Sequence, residues 1–302
     1  MSIRSNVQEA WDSYAGGPAR PNGAFKQGSS SLLRFSAWAF LALTVMAWAF
    51  VLTEQSTRFV DIFSPETWQY GQRFLSRLLG AGTAHPAFLI PERWLEAGTL
   101  AYQTLAMSVL AIGLATAGML LTVVPAARTS ADGSLTLTRH WLTRSLFVLI
   151  RAAYILSRAI PELVWAMLIV FIVSPGILPG AIALGLHNFG ILGKLCAEVV
   201  EDMDLRPVRA MRTAGASTAQ ALFYAVLPAV LPQFLTYILY RWEVIIRTTI
   251  VVGFVSAGGL GREFKLRMSY FHYTDVALLL LAYLLLVLFV DLLSATLRRL
   301  AR

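Results

Sequence analysis

Residues Arg209–Pro228 read RAMRTAGASTAQALFYAVLP. Two arginines, a glycine in the middle of a helical pattern and a closing Leu-Pro stand here between two apolar runs. Pro207 suits the first turn of a helix, where its missing N–H costs nothing, and Val208–Ala214 continue that helix. Gly215 supplies the positive φ that a sharp C-terminal turn requires. Ser217 can cap a second helix by accepting from a free backbone N–H. Ala219–Leu227 then lead into the next apolar run, which Pro228 and Pro232 bend at its start. The spacing predicts a compact helical hairpin, a shape suited to docking onto a soluble partner.

The chain around this hairpin is too apolar for water. Of 302 residues, 57% are hydrophobic and 14% charged, whereas soluble domains average about 45–50% apolar and about 25% charged. The class is therefore a polytopic membrane protein, and the runs below make it all-α. Six runs are long enough to span, given that about 20 apolar residues are needed. They are Leu33–Thr53, Ala97–Val124, Trp141–Val173 with a kink at Pro161, Ile177–Val200, Val226–Val255 and Val276–Leu293. Residues 1–31 read as a flexible cytoplasmic tail, with Val7–Tyr14 as a short surface helix. Residues 32–96 hold the first span and an outer segment, in which Trp68–Leu79 is amphipathic. Residues 97–300 form the core membrane domain, with the polar loop at 201–228.

The net charge of +8 fits inner-face loops rich in Lys and Arg better than nucleic-acid binding, for which no basic polar domain exists. The same bias places both termini and the hairpin on the cytoplasmic side. The single cysteine, Cys196, rules out an intrachain disulfide framework. There is no metal-ligand spacing, no catalytic set and no G-x4-G-K-[ST] phosphate loop, so neither catalysis nor a cofactor is expected of this chain.

Charges inside spans need an explanation, because each costs about 2.5–3.5 kcal/mol at the centre of a membrane helix. Arg144, Arg151 and Arg158 recur every seven residues and share one face. Snorkelling suits the first two; Arg158 with Glu162 either lines a pathway or forms an interhelical pair. Glu243 and Arg247 have the spacing of an ion pair within one helix, which leaves Arg241 unpaired. Arg241 and Arg247 are also suited to bind an oxyanion in bidentate fashion. His187 is a core residue or a pathway contact. Gly258, Gly259 and Gly261 read as a flexible joint or a close packing point; their spacing matches no nucleotide fingerprint.

The hairpin resembles the cytoplasmic loop of ABC importer permeases, E-A-A-x3-G-x9-I-x-L-P. Ala210, Gly215, Leu227 and Pro228 fall on that pattern; Arg209, Met211 and Ala225 depart from it. Ser157–Ala166, Leu186–Leu195, Tyr240–Arg247 and Ser256–Gly261 resemble the matching segments of phosphonate/phosphite importer permeases. The similarity covers about residues 95–300. It implies a multi-pass protein of the bacterial inner membrane with the fold of type I ABC importer permeases. It further implies a pair of such chains, two cytoplasmic ATPase subunits that bind ATP and Mg, and an extracytoplasmic binding protein. The hairpin would be the coupling helix, with Arg209, Ala210, Arg212, Gly215, Ala216, Ser217, Leu227 and Pro228 as its contacts or geometry. The substrate implied is phosphonate, phosphite, hypophosphite or phosphate. Import of another small anion and ion-coupled secondary transport through Glu162, His187 or Glu243 remain as alternatives.

Overall fold

The computed structural model describes residues 29–53, 63–133 and 141–300. The expected tail and its surface helix lie almost wholly outside the described residues. The chain divides into two compact units, 1–72 and 73–302. In the first, helix α1 (Ser29–Thr53) is uninterrupted and its aromatic side chains, Trp38, Phe40 and Phe50 among them, are exposed. A helix with apolar residues on every face is one that lipid covers. Helix α2 (Pro65–Leu78) carries residues of both units.

The second unit is a helical bundle built on α3 (Pro91–Ala126) and α7 (Ile177–Asp202). Pro91 and Glu92 start α3 favourably, the proline in the first turn and the acid beside the positive helix end. At about 1.5 Å per residue α3 is about 54 Å long, more than the hydrocarbon core of a bilayer. Small residues bring α3 and α7 together. A Cβ at Gly185 would lie 3.1 Å from the Ala111 carbonyl, and one at Gly118 would meet the Phe189 ring at 2.8 Å. The pairings 111 with 185 and 118 with 189 make the two helices parallel.

Helix α5 (Trp141–Ala159) packs on α7 through Tyr154, which is fully buried. Its ring fills the space left by Gly193, and its backbone carbonyl lies 2.6 Å from where a Cβ of Gly190 would stand. The Tyr154 hydroxyl bonds Thr122 of α3 at 2.7 Å, and its ring meets Phe189 edge-on at 5.1 Å. Pro161 then breaks the span more sharply than a kink: α5 and α6 (Glu162–Ile172) are bent by 95°. The carbonyl that Pro161 cannot bond, Ser157 O, accepts instead from Trp165 Nε1 at 3.0 Å.

The short helix α4 (Arg128–Ala131) follows α3, and α8 (Arg206–Thr213) and α9 (Thr218–Ala221) follow α7. A π-turn at Leu222–Val226 joins α9 to α10 (Leu227–Val252). Pro228 removes one backbone donor there, which favours this widening of the helical turn. A second π-turn at Gly253–Ala257 leads to α11 (Gly259–Ser269), and α12 (Tyr273–Leu300) ends the described chain. Among the described residues five helical stretches are long and apolar enough to cross a membrane, or six with α5–α6 taken as one broken span. These six coincide with the expected ones.

Candidate functional site

The first feature is the hairpin α8–α9. Gly215 adopts φ +85° and its N–H bonds the Arg212 carbonyl at 3.0 Å, while the Ala216 N–H reaches the Met211 carbonyl at 3.0 Å. These two bonds close α8 in a Schellman motif, the sharp stop that glycine permits. Ser217 then starts α9. Its hydroxyl accepts from Gln220 N at 3.3 Å, and Gln220 Oε1 accepts from Ser217 N at 2.8 Å, a complete capping box. Arg212 ties the two helices by donating to Thr218 Oγ1 at 3.1 Å. Val208 anchors the hairpin in the core. Arg209, Ala210, Gly215, Ser217 and Pro228 are exposed, and Ala216 and Leu227 are half-buried. A Cβ at Gly215 would meet nothing within 4 Å, so backbone conformation alone calls for glycine there.

The second feature is a polar cluster where α6, α7 and α10 meet. Arg241 donates through Nε and Nη2 to Asn188 Oδ1, at 2.9 and 2.5 Å. Asn188, buried, is held by its own bond to the Leu184 carbonyl at 2.7 Å. Beside it, His187 Nε2 lies 3.3 Å from Glu162 Oε2, and His187 Nδ1 lies 2.9 Å from the Ile160 carbonyl. A carbonyl only accepts, so Nδ1 carries a proton. Nε2 then faces the Glu162 carboxyl group. The cluster thus holds a guanidinium, an imidazole beside a carboxyl group and a fixed amide dipole inside an apolar bundle.

Two sequence expectations are corrected by this geometry. Glu162 pairs with His187, not with Arg158; the break at Pro161 turns α6 away from the axis of α5. Arg158 has no carboxylate partner among the described residues. Nor do Glu243 and Arg247 pair along α10. Glu243 meets Arg298 at 2.7 Å, and Arg247 meets both oxygens of Asp291 at 2.9 and 2.7 Å. Both partners lie on α12, and pairing across the interface neutralises charges on two helices at once. Arg247 is therefore engaged, whereas Arg241 is held by the Asn188 amide rather than by a carboxylate. Asp291 and Asn188 were missed by sequence reasoning. An acid within the last apolar run is itself a signal for Asp291; nothing in the spacing marks Asn188.

The Gly-rich stretch is a tight packing point. Gly258 and Gly259 have φ of +95° and +67°. A Cβ at Gly259 would lie 2.6 Å from Thr104 Oγ1, which accepts from Leu260 N at 2.9 Å. Gly261 is pressed against the Ile250 carbonyl. The turn therefore fastens the start of α11 to α3.

At the end of the bundle away from the hairpin, Arg267 sits amid Glu263, Glu96 and Asp275 at 2.7, 3.0 and 3.9 Å. Burial pushes its guanidinium pKa down, but Glu263 and the other two carboxylates outweigh this and hold it above the usual arginine value. A cavity of about 630 Å3 opens beside this network, between Arg77, Arg93 and the start of α12.

With this geometry in place, likeness to known proteins identifies the chain. It is 40% identical over 196 residues, 65% of its length and 68% of the other's, to the phosphite transport system permease protein PtxC of Stutzerimonas stutzeri. It is 37% identical over 164 residues to the phosphate-import permease protein PhnE of Mycolicibacterium smegmatis, covering 54% of this chain and 29% of that one. Its fold matches that of the MetNI methionine ABC transporter in an inward-facing conformation, with a TM-score of 0.60 at 19% identity, over 70% of this chain and 98% of that one. Residues 134–302, which include the hairpin, Arg241 and α12, match the family described as binding-protein-dependent transport system inner membrane component, and the chain belongs to that family of multi-pass membrane proteins.

Proposed function

We propose that this chain is the membrane-spanning permease of an ATP-driven importer for a small phosphorus oxyanion: phosphonate, phosphite, hypophosphite or phosphate. The observation that carries this reading is the 40% identity to a phosphite transport system permease. Two copies form the pathway, with both termini cytoplasmic in the bacterial inner membrane. Two ATPase subunits bind ATP and Mg, and a binding protein delivers the anion from outside; this chain itself holds no cofactor. The hairpin is the coupling helix. Its exposed Arg209, Ala210 and Gly215 present a rigid, capped knob of the kind a cleft can grip. Arg241 is the pathway cation, because it is held by a neutral amide and a planar guanidinium is suited to phosphorus oxygens. Arg158, Glu162 and His187 border the same interior. Glu243 and Arg247 shape the pathway through α12, and Gly258, Gly259 and Gly261 form the close-packed turn that fastens α11 to α3.

The proximity of Glu162 and His187 supports a second reading, ion-coupled transport in which these two groups relay protons. One experiment separates the two. The chain is reconstituted in lipid with its neighbouring ATPase and binding protein, and 2-aminoethylphosphonate, phosphite, phosphate and a sulfonate are added in turn. Stimulation of ATP hydrolysis by one phosphorus anion is expected and names the substrate. Uptake driven by a pH gradient without any ATPase overturns the proposal in favour of the second reading.

A further inference from the structure

The C-terminal turn of α7 is built against the rule for helix ends. Carbonyl groups leave that end negative, and basic residues belong there. This helix instead ends Glu198-Val199-Val200-Glu201-Asp202, with no basic residue in its last turn. Glu201 is nevertheless mostly buried, at 16% side-chain exposure. A carboxylate so placed needs donors, and it has two from different elements. Arg151 of α5 closes a short ion pair on Glu201 Oε1. The backbone N–H of Arg128 donates to the same oxygen at 2.7 Å. That N–H is one of the free donors at the start of α4. Arg151 has a further bond, from Nε to the Ala126 carbonyl at 2.9 Å, where α3 ends. The snorkelling expected of Arg151 is thus not what the structure shows. The bonds form a ring: Ala126 carbonyl, Arg151, Glu201, Arg128 N–H, and back along the chain.

The ring's Glu201 stands five positions before Arg206, the first residue of α8. The hairpin has two legs. One runs without interruption from α9 into α10 through Thr218–Val255. The other passes through Met203–Leu205, outside any helix, and such a joint transmits force poorly. The ring lies on the bundle side of that joint and binds the end of α7 to both α3 and α5, so that what the joint does transmit reaches three helices together.

We infer that Glu201, held by Arg151, is a positioning residue for energy coupling: it makes α3, α5 and α7 move as one body when the hairpin is displaced. It touches neither anion nor nucleotide. The inference rests on the coupling role proposed for the hairpin.

The test is the complete importer in lipid vesicles, comparing wild type, Glu201→Gln, Arg151→Gln and the double variant. Phosphite uptake and ATP hydrolysis are measured together, with co-purification of the ATPase as the assembly readout. Glu201→Gln is expected to keep assembly and basal hydrolysis while uptake per ATP falls at least about fivefold, in the range by which coupling networks respond to substitution. The double variant is expected to be no worse than either single one, since both remove one bond network. Arg151→Lys retains the charge but loses the second bond, and should fall between wild type and Arg151→Gln. Uptake per ATP unchanged in Glu201→Gln, or losses that simply add in the double variant, overturns the inference. So does a fall in uptake that only follows lost assembly. If the wild-type chain associates with no ATPase, the proposed function fails first, and that result is distinct from a coupled wild type with an unaffected Glu201→Gln.

Discussion

Arg241 and Asn188 show how one residue's role depends on its partner. A guanidinium held by an amide oxygen is tethered but not neutralised, so it can still meet an anion, whereas Arg247 is occupied by Asp291. Arg241→Ala removes a charged hydrogen bond worth about 1.5–3 kcal/mol, and uptake is expected to fall about tenfold or more with the complex still assembled. Equal loss of uptake and of assembled complex, read by size-exclusion chromatography, would return Arg241 to a structural role. Gly193 makes the complementary case from packing. The Tyr154 ring occupies the place of its side chain, so Gly193→Leu should overpack the α5–α7 contact by at least about 1–3 kcal/mol. A lowered thermal midpoint in detergent checks this.

At the scale of the element, the hairpin is a rigid piece whose geometry comes from its caps. Proline cannot adopt the φ of +85° found at Gly215. Gly215→Pro therefore breaks the Schellman turn and should abolish anion-stimulated ATP hydrolysis while the spans still fold. Normal ATP-driven uptake in that variant would remove the coupling role from the hairpin. Ser217→Ala is the milder probe. It deletes one half of the capping box, costs about 1 kcal/mol locally and should lower the coupling ratio without abolishing it. Gln220→Ala should add little to it, because the two side chains act as a pair.

The whole bundle is held by charges exchanged between helices as much as by small residues. Glu243–Arg298 and Arg247–Asp291 pin α10 to α12 with opposite polarity, which also fixes their register. Both members of the second pair are more than a third exposed, so its worth is modest. Asp291→Asn should lower the thermal midpoint by about 2–4 °C. Arg247→Asp alone should cost more, and adding Asp291→Arg should recover part of the loss. No recovery in the double reversal would show that the two residues do not face each other.

Membrane class, the number of spans and the hairpin were legible in the amino-acid sequence because each rests on local chemistry. Apolar runs of sufficient length must be spans, Pro161 must disrupt a helix, and Gly215 followed by Ser217 must end one helix and begin another. Arg241 stood apart only on the expectation that Glu243 pairs with Arg247. The partners were not legible. The i, i+4 spacing of Glu243 and Arg247 pointed to a pair that the structure does not form, since α12 offers each a partner of its own. Arg151 looked like a snorkelling side chain until α7 brought Glu201 to it, 50 residues away in sequence. Sequence alone therefore determined where the backbone turns and which stretches leave water, for those depend on neighbours along the chain. Tertiary structure decided which charges meet, because a buried ion takes whichever partner the packed helices bring within reach.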